Sequence, residues 1–235
     1  MGDALKVFDT PADLATAAAD QIVSVLREAV ESRGSASFAL AGGSTPRATY
    51  EELARRGNSE WWESVEFFWS DERVVPPTDP ASNVGMARAA LLDPLNVDST
   101  RIHAPRTDLG RDDAAVNYEI EIRTVLGDAT PSFDLVLLGM GDDGHTASLF
   151  PDGDELEAST SRLVVGSTAP FDPPERVTFT LPLLAAARNV TFLVAGEKKA
   201  SMLRRALDGD TDLPSARVRP ADGTLSWFVD RAAAG

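Results

Sequence analysis

The 235-residue sequence predicts an α/β protein with one domain, residues 1–235, built on a mostly parallel, doubly wound (Rossmann-like) sheet with helices on both faces. Short apolar runs typical of buried strands alternate with longer segments whose apolar residues recur at helical spacing. Several of these runs lead directly into glycine-rich or charged turns, which is where open α/β sheets bind ligands. The length suits one large domain, and no stretch has the composition of a linker.

The predicted strands are runs of apolar and β-branched residues, whereas the predicted helices are longer and amphipathic. The strands cover residues 6–8, 38–41, 65–70, 101–103, 134–138, 163–166, 176–180, 190–195 and 225–229. The helices cover residues 11–33, 47–56, 84–92, 112–125 and 196–207. Thr10 and Pro11 can start the first helix, and Gly34 can end it. A further helical stretch of about two turns is expected before Pro151.

The composition restricts the partners that the chain can bind. It holds 37 acidic and 22 basic residues, for a formal charge of −15, which argues against nucleic acid and anionic membranes. It has no cysteine, so disulfides and thiolate chemistry are excluded. Since neither a basic, apolar leader nor a membrane-spanning apolar run is present, we expect a soluble, cytoplasmic protein.

The segment at residues 139–151, GMGDDGHTASLFP, is the strongest candidate for a functional site. It follows an apolar strand, and its glycines allow a sharp turn that leaves space for a ligand. The turn formally fits the dinucleotide fingerprint G-x-G-x-x-G, but Asp142 and Asp143 would repel a pyrophosphate. The next predicted strand also ends without the acidic residue that would bind a ribose. A dinucleotide cofactor is therefore not expected.

The sequence contains 2 histidines, so an imidazole mechanism must use His103 or His145. His103 has neither glycines nor candidate partners nearby, and a structural role is expected for it. His145 lies in the glycine-rich turn, with Asp143 two residues earlier to orient its ring or stabilise its charged form. His145 is therefore the candidate base.

A glycine-rich turn between a buried strand and a helix is a candidate anion site. Gly42 and Gly43 can leave main-chain N–H groups free at the start of the helix, and the hydroxyls of Ser44 and Thr45 add donors. A capped turn without a ligand is the alternative, and both interpretations stay open at this point.

Charged residues in or after other strands complete the candidate site. Asp71, Glu72 and Arg73 come at the end of the third predicted strand, although a surface ion-pair cluster would explain them too. Arg176 lies in a later strand, and Lys199 follows the strand at residues 190–195. The cations suit a phosphorylated polar metabolite, while a base with carboxylates suits hydrolysis or proton transfer on it.

Six segments resemble motifs of the 6-phosphogluconolactonase family, in the same order and over nearly the whole chain. They are residues 41–46 (AGGSTP), 69–75 (WSDERVV), 82–83 (SN), 139–151, 176–182 (RVTFTLP) and 192–200 (FLVAGEKKA). Related glucosamine-6-phosphate deaminases share the Asp-Gly-His core but continue with an Asn-Glu-Pro stretch that is absent here. Asp152 departs from the family pattern, since a glycine is common at that position.

The resemblance implies a cytosolic enzyme of the oxidative pentose phosphate pathway that hydrolyses 6-phospho-D-glucono-1,5-lactone to 6-phosphogluconate, without a metal or organic cofactor. In the mechanism that we expect, His145 removes a proton from the attacking water and Asp143 orients the ring. Arg73, with main-chain N–H groups of the glycine-rich turn, would stabilise the oxyanion. Asp71 would either orient Arg73 or bind a sugar hydroxyl.

The substrate phosphate is expected on the glycine-rich turn and two cations. The predicted set is Gly42, Gly43, Ser44, Thr45, Arg176 and Lys199. Lys199 is preferred to Lys198 only by alignment with the family motif.

Two other functions remain as alternatives. One is an amino-sugar-phosphate deaminase or isomerase. The other is a non-catalytic sugar-phosphate sensor, although the chain has no basic helix-turn-helix segment to bind DNA. A monomer or weak homo-oligomer is expected.

Overall fold

The computed structural model describes residues 4–127, 131–157 and 162–235, and within these the chain forms two sheets. The strands are β1 (Ala4–Phe8), β2 (Ala36–Leu40), β3 (Val65–Trp69), β4 (Asp71–Arg73), β5 (Leu135–Leu138), β6 (Val164–Thr168), β7 (Glu175–Phe179), β8 (Asn189–Val194) and β9 (Thr224–Asp230). Six of them form a parallel sheet in the order β1-β9-β8-β5-β2-β3. The predicted mostly parallel, doubly wound sheet is confirmed.

Helices flank this sheet, and the first of them begins and ends at the predicted caps. They are α1 (Pro11–Arg33), α2 (Ser44–Arg55), α3 (Asn83–Ala87), α4 (Arg111–Leu126), α5 (Leu181–Ala185), α6 (Ala200–Leu207), α7 (Pro214–Arg217) and α8 (Arg231–Ala234). The Thr10 side chain accepts a hydrogen bond from the Asp13 N–H at the start of α1, and Gly34 ends that helix with φ 82°. A π-helical turn, Arg88–Leu92, extends α3, and a 3₁₀ turn, Glu197–Lys199, precedes α6.

Strand β5 shows why helices cover both faces of the sheet. Successive side chains of a strand point to opposite faces. Leu135 and Leu137 join a buried apolar cluster with α1 and α2, whereas Val136 and Leu138 join a second cluster with α4, α5 and α6. All four side chains are fully buried, so the continuous apolar run reflects burial on both faces.

A second, antiparallel sheet in the order β4-β7-β6 was not predicted. The strand expected at residues 65–70 ends at Trp69, because Ser70 changes partners. The Ser70 N–H donates to the Leu40 carbonyl of the parallel sheet, at 2.9 Å, while its own carbonyl accepts from the Phe179 N–H of β7, at 2.8 Å. The chain therefore passes from one sheet to the other at this residue, and residues 71–73 form a separate strand of the second sheet rather than the end of the third predicted strand.

Two local predictions were wrong. The stretch before Pro151 is not helical, because Thr146 and Leu149 pair with each other through their main chains and the Thr146 hydroxyl donates to the Gly139 carbonyl, at 2.8 Å. The strand expected at residues 101–103 is reduced to a 3₁₀ turn, Ser99–Arg101, and one bridge.

The strand order places the glycine-rich segments together. From β2 the chain moves outward to β3, and from β5 it moves the other way to β8 and β9, so β2 and β5 flank the point where the direction of winding reverses. Open α/β sheets bind ligands beyond the carboxyl ends of the strands at such a point. No helix in the described part of the chain is long and apolar enough to cross a membrane.

Candidate active site

A cleft of about 200 Å³ opens at the carboxyl ends of β2 and β5. It is lined by Ala41, Gly42, Gly43, Ser70, Asp71, Arg73, Asn83, Gly139, Met140, Gly141, His145, Ala147 and Lys199. A larger depression of about 560 Å³ lies between α2 and α3, but no histidine or strand end lines it. The cleft therefore brings together most of the chemically active residues predicted from the sequence.

His145 lies in the wall of the cleft and is hydrogen-bonded to Asp143. The distance from His145 Nδ1 to Asp143 Oδ1 is 2.6 Å, and the same oxygen accepts from the His145 N–H at 3.1 Å. Partial burial raises the pKa of Asp143, but the hydrogen bonds and charge of His145 outweigh it and lower that pKa to about 2. Asp143 therefore stays ionised and fixes the orientation of the imidazole.

The glycine-rich turn makes space for this pair. A Cβ atom on Gly141 would lie 2.1 Å from His145 Nδ1 and 2.4 Å from Asp143 Oδ1, too close for any side chain. The Gly141 N–H donates to the His145 carbonyl at 2.8 Å, which closes the turn. The position requires glycine because the main chain passes directly against the two functional groups.

Aromatic side chains border the imidazole. The ring of Phe150 lies 4.7 Å from that of His145, and the ring of Phe171 lies 5.9 Å from it, measured between centroids. Phe171 comes from the loop between β6 and β7, so the second sheet contributes to the surroundings of the base. After Phe150 the chain turns through Asp152 with φ 61°, a left-handed conformation that favours glycine.

Asp71 lies deep in the cleft and does not bind Arg73. Its side-chain partners are the Ser148 hydroxyl, 2.6 Å from Oδ2, and the Asn83 amide, 3.4 Å from Oδ1. Arg73 instead donates through Nη1 to the Ala81 carbonyl. Of the two roles predicted for Asp71, the contacts favour an acceptor for a ligand over a support for Arg73.

Arg176 lies next to Arg73 but is not part of the cleft lining. The two residues are paired in register between β4 and β7, and Arg176 is only 2% exposed. Its Nε donates to the Pro173 carbonyl at 2.8 Å, and its guanidinium lies 5.5 Å from the ring centre of Phe171. Burial lowers the pKa of Arg176, and the charge of Arg73 adds to this effect. Arg176 thus adds positive charge behind the cleft and supports the loop that carries Phe171.

The predicted anion turn lies at one end of the cleft. Gly42 and Gly43 line it, whereas Ser44 and Thr45 form the first turn of α2 beside it. The main-chain N–H groups of Gly43 and Ser44 have no hydrogen-bond partner within the described residues. Free N–H groups at a helix start favour an anion.

Lys199 reaches the cleft from the turn after β8. Its Nζ lies 2.7 Å from Asp142 Oδ1, and this hydrogen bond lowers the pKa of Asp142. Lys198 is exposed and does not line the cleft. Of these two adjacent lysines, which the sequence alone could not tell apart, only Lys199 lines the cleft.

Three residues that organise the site were not among the predicted catalytic and binding residues: Glu72, Asn83 and Ser148. Glu72 is 1% exposed, and its carboxylate accepts from the N–H groups of Arg73, Asn83 and Val84 at 2.6–2.8 Å. Burial raises the pKa of Glu72, and these hydrogen bonds oppose that shift. For Asn83 and Ser148 the only signal in the sequence was their place inside the family motifs, whereas Glu72 also stands at the end of the third predicted strand.

His103 lies outside the cleft. Its ring nitrogens lie 2.7 Å from Glu121 Oε1 and 2.9 Å from Glu66 Oε2, and its ring stacks on Phe68 at 4.7 Å. These contacts agree with the structural role expected for it. In the described part of the chain, no group of three His, Asp or Glu side chains is arranged to hold a metal ion.

The carboxyl edge of the doubly wound sheet holds a histidine–carboxylate pair, free N–H groups at the start of α2 and several cations. This combination defines an α/β enzyme with a site for a small anionic substrate. Residues 9–227 match the sequence model of the glucosamine-6-phosphate isomerases and 6-phosphogluconolactonases, and the chain belongs to this family.

Individual relatives agree with this assignment. The chain is 38% identical to a 6-phosphogluconolactonase of Nostoc sp. over 240 residues, covering 99% of this chain and 98% of the relative. The solved 6-phosphogluconolactonase from Thermotoga maritima superimposes with a TM-score of 0.86 at 33% identity, covering 98% of this chain and 100% of that one. A monomeric glucosamine-6-phosphate deaminase, at 21% identity and a TM-score of 0.80 over 98% of each chain, shares the fold.

Proposed function

We propose that this chain hydrolyses 6-phospho-D-glucono-1,5-lactone to 6-phospho-D-gluconate, as a lactonase of the oxidative pentose phosphate pathway in the cytoplasm. The observation that carries the proposal is the His145–Asp143 pair, whose imidazole lines the same cleft as Arg73. The names of the relatives that match over the whole chain support the same reaction.

His145 acts as the general base. With its proton on Nδ1, where Asp143 accepts it, Nε2 carries a free lone pair; none of the described hydrogen bonds engages Nε2. Nε2 takes a proton from water as the water oxygen attacks the lactone carbonyl carbon. General-base assistance of this kind is typically worth about 10²–10⁴ in rate.

Arg73 stabilises the negative charge that develops on the carbonyl oxygen. Its guanidinium lines the cleft with His145, and one well-placed oxyanion donor is typically worth roughly 10²–10³ in rate. The tetrahedral intermediate then collapses, and the bond between the carbonyl carbon and the ring oxygen breaks. The proton held by His145 passes to that oxygen, which leaves as a hydroxyl and regenerates the neutral base.

The substrate phosphate binds between the start of α2 and Lys199. The free N–H groups of Gly43 and Ser44 supply donors, with the hydroxyls of Ser44 and Thr45 beside them. Lys199 exchanges its contact with the exposed Asp142 for the phosphate, and Arg176 adds positive charge from behind Arg73. The site thereby gathers the few cations that an acidic chain can offer to an anion.

The decay of freshly generated lactone tests the proposal, with the spontaneous rate subtracted. We expect the protein to accelerate the decay and His145→Ala to lower kcat by about 10²–10⁴ with a much smaller change in KM. His103→Ala is the matched control, because it removes the other histidine outside the cleft, and its kcat should stay within about twofold per folded molecule. Wild-type kcat in His145→Ala would contradict the assignment.

Deamination of glucosamine 6-phosphate is the second candidate, because the family includes such enzymes and one shares this fold. Release of ammonia from that amino sugar phosphate, combined with lactone decay at the spontaneous rate, would favour it. If neither reaction is accelerated by folded protein that binds sugar phosphates, a sensor function is favoured.

A further inference from the structure

The Asp71 carboxylate is held from two sides although it faces the cleft. Asp71 is 7% exposed. The Ser148 hydroxyl donates to Oδ2 at 2.6 Å, within the usual range of an O–H···O hydrogen bond. The Asn83 amide donates to Oδ1 at 3.4 Å and to the Asp71 main-chain carbonyl at 3.0 Å. Both oxygens of the carboxylate are therefore oriented by donors from other parts of the chain.

Ser148 and Asn83 are themselves firmly placed. Ser148 is 1% exposed, and its N–H donates to the Thr178 hydroxyl at 3.1 Å. The Asn83 N–H donates to Glu72 Oε1 at 2.8 Å. A Cβ atom on Gly42 would lie 2.0 Å from Asn83 Oδ1, so the glycine allows the amide to approach. The position of the carboxylate is thus set by buried groups, before any ligand binds.

An ionised carboxylate can accept about four hydrogen bonds, and the described side chains use two of these positions. The proposed substrate carries several hydroxyl groups and no cation, so a hydroxyl is the donor that it can offer to the remaining acceptor positions of this carboxylate. We propose that Ser148 and Asn83 are positioning residues that fix the Asp71 carboxylate as the acceptor for a ring hydroxyl of the substrate. This inference rests on the proposed lactonase function and assigns the recognition of the sugar hydroxyls to this network.

The role predicts an effect on binding rather than on chemistry. A hydroxyl that is bound equally in the ground state and the transition state contributes to KM and leaves kcat nearly unchanged. Removing the Ser148 hydroxyl leaves Oδ2 of Asp71 without its donor, so the carboxylate is held less firmly in the orientation that accepts the substrate hydroxyl. Ser148→Ala is therefore expected to raise KM about tenfold, with kcat kept within about threefold.

Ser167→Ala is the matched control. Ser167 lies on β6 and is 3% exposed, and its hydroxyl has no hydrogen-bond partner within the described residues. This variant removes the same atom from an equally buried position in the second sheet, and it should leave KM within about twofold of the wild-type value. Ser148→Thr retains the hydroxyl and should restore most of the affinity.

A double-mutant cycle tests whether Ser148 acts through Asp71. Asp71→Asn keeps the shape of the side chain but removes its charge, and it should raise KM at least as much as Ser148→Ala. In the Asp71→Asn background, Ser148→Ala should change KM by less than about twofold. If Ser148→Ala does not fold, the KM of Asp71→Asn alone tests the role of the carboxylate. An unchanged KM in Asp71→Asn would overturn the proposal.

The outcomes separate this inference from the function on which it rests. Accelerated lactone decay by the wild type, together with an unchanged KM in a folded Ser148→Ala variant, overturns the inference alone. The inference is also overturned if Ser148→Ala raises KM by the same factor in the wild-type and Asp71→Asn backgrounds, since Ser148 would then act independently of Asp71. Decay at the spontaneous rate with folded wild-type protein overturns the proposed function and this inference together.

Discussion

Gly141→Ala is the sharpest test of the catalytic pair, because the change adds one methyl group at a defined distance from it. The added Cβ would lie 2.1 Å from His145 Nδ1 and 2.4 Å from Asp143 Oδ1, whereas ordinary contacts begin at about 3.4 Å. The imidazole would have to move by more than about 1 Å. The 2.6 Å hydrogen bond between His145 and Asp143 cannot survive such a shift.

The expected fall in kcat follows from the loss of that hydrogen bond. A hydrogen bond to a charged group contributes about 1.5–3 kcal/mol. Since the bond orients the base during proton transfer, we expect kcat to fall about 10- to 150-fold. KM should change by less than about threefold, because the phosphate and hydroxyl contacts lie elsewhere in the cleft.

The assay is the initial rate of lactone decay above the spontaneous rate, together with the proton NMR signal of the imidazole N–H. Gly139→Ala is the control, since it adds a methyl group in the same turn with no atom within 4 Å. It should retain kcat and the imidazole signal. If Gly141→Ala kept wild-type kcat in a folded protein, the assigned role of the His145–Asp143 geometry would be refuted.

Three further predictions concern binding, pH and folding. Lys199→Ala should raise KM several-fold, whereas Lys198→Ala, at the exposed neighbour, should not; equal effects in initial-rate measurements would contradict the phosphate assignment. The lowered pKa of Asp143 means that its ionised form stabilises the fold above its ordinary pKa of 3.8 and loses that contribution as the pH falls through about 2. In denaturant unfolding, Asp143→Asn should therefore lower the free energy of unfolding by up to about 1 kcal/mol at pH 5, after allowance for the partial exposure of Asp143, and by much less at pH 2. An equal loss at pH 5 and pH 2 would contradict this pH dependence. Glu72→Ala would leave two buried N–H groups and one partly buried N–H group without their acceptor, and it should lower the free energy of unfolding by roughly 3 kcal/mol. A loss below about 1 kcal/mol would show that these groups find other partners.

Local sequence patterns were enough to predict the parallel strands and the first helix, but not the second sheet that carries Asp71, Arg73 and Arg176. The cap at Thr10 and the end at Gly34 are set by residues within one turn of α1, and the buried character of β5 is visible in its continuous apolar run. Asp143 and His145 are two residues apart, so a glycine-rich turn brings them together without help from the rest of the fold. The helix predicted before Pro151 does not form, because helix propensity does not account for the hydrogen bond from the Thr146 hydroxyl to the Gly139 carbonyl that closes this turn.

The sequence by itself determined the class of fold, the strand ends that carry glycines and charges, and the histidine–carboxylate pair, since each depends on residues close together along the chain. Only the tertiary structure decided the partners of Asp71 and Arg176. Ser148 meets Asp71 across 77 positions of sequence, and Arg176 lies beside Arg73 because Ser70 passes the chain into a second sheet. Such contacts depend on strand order and on which sheet a strand joins, and these are settled by long-range packing and pairing that local propensities do not encode.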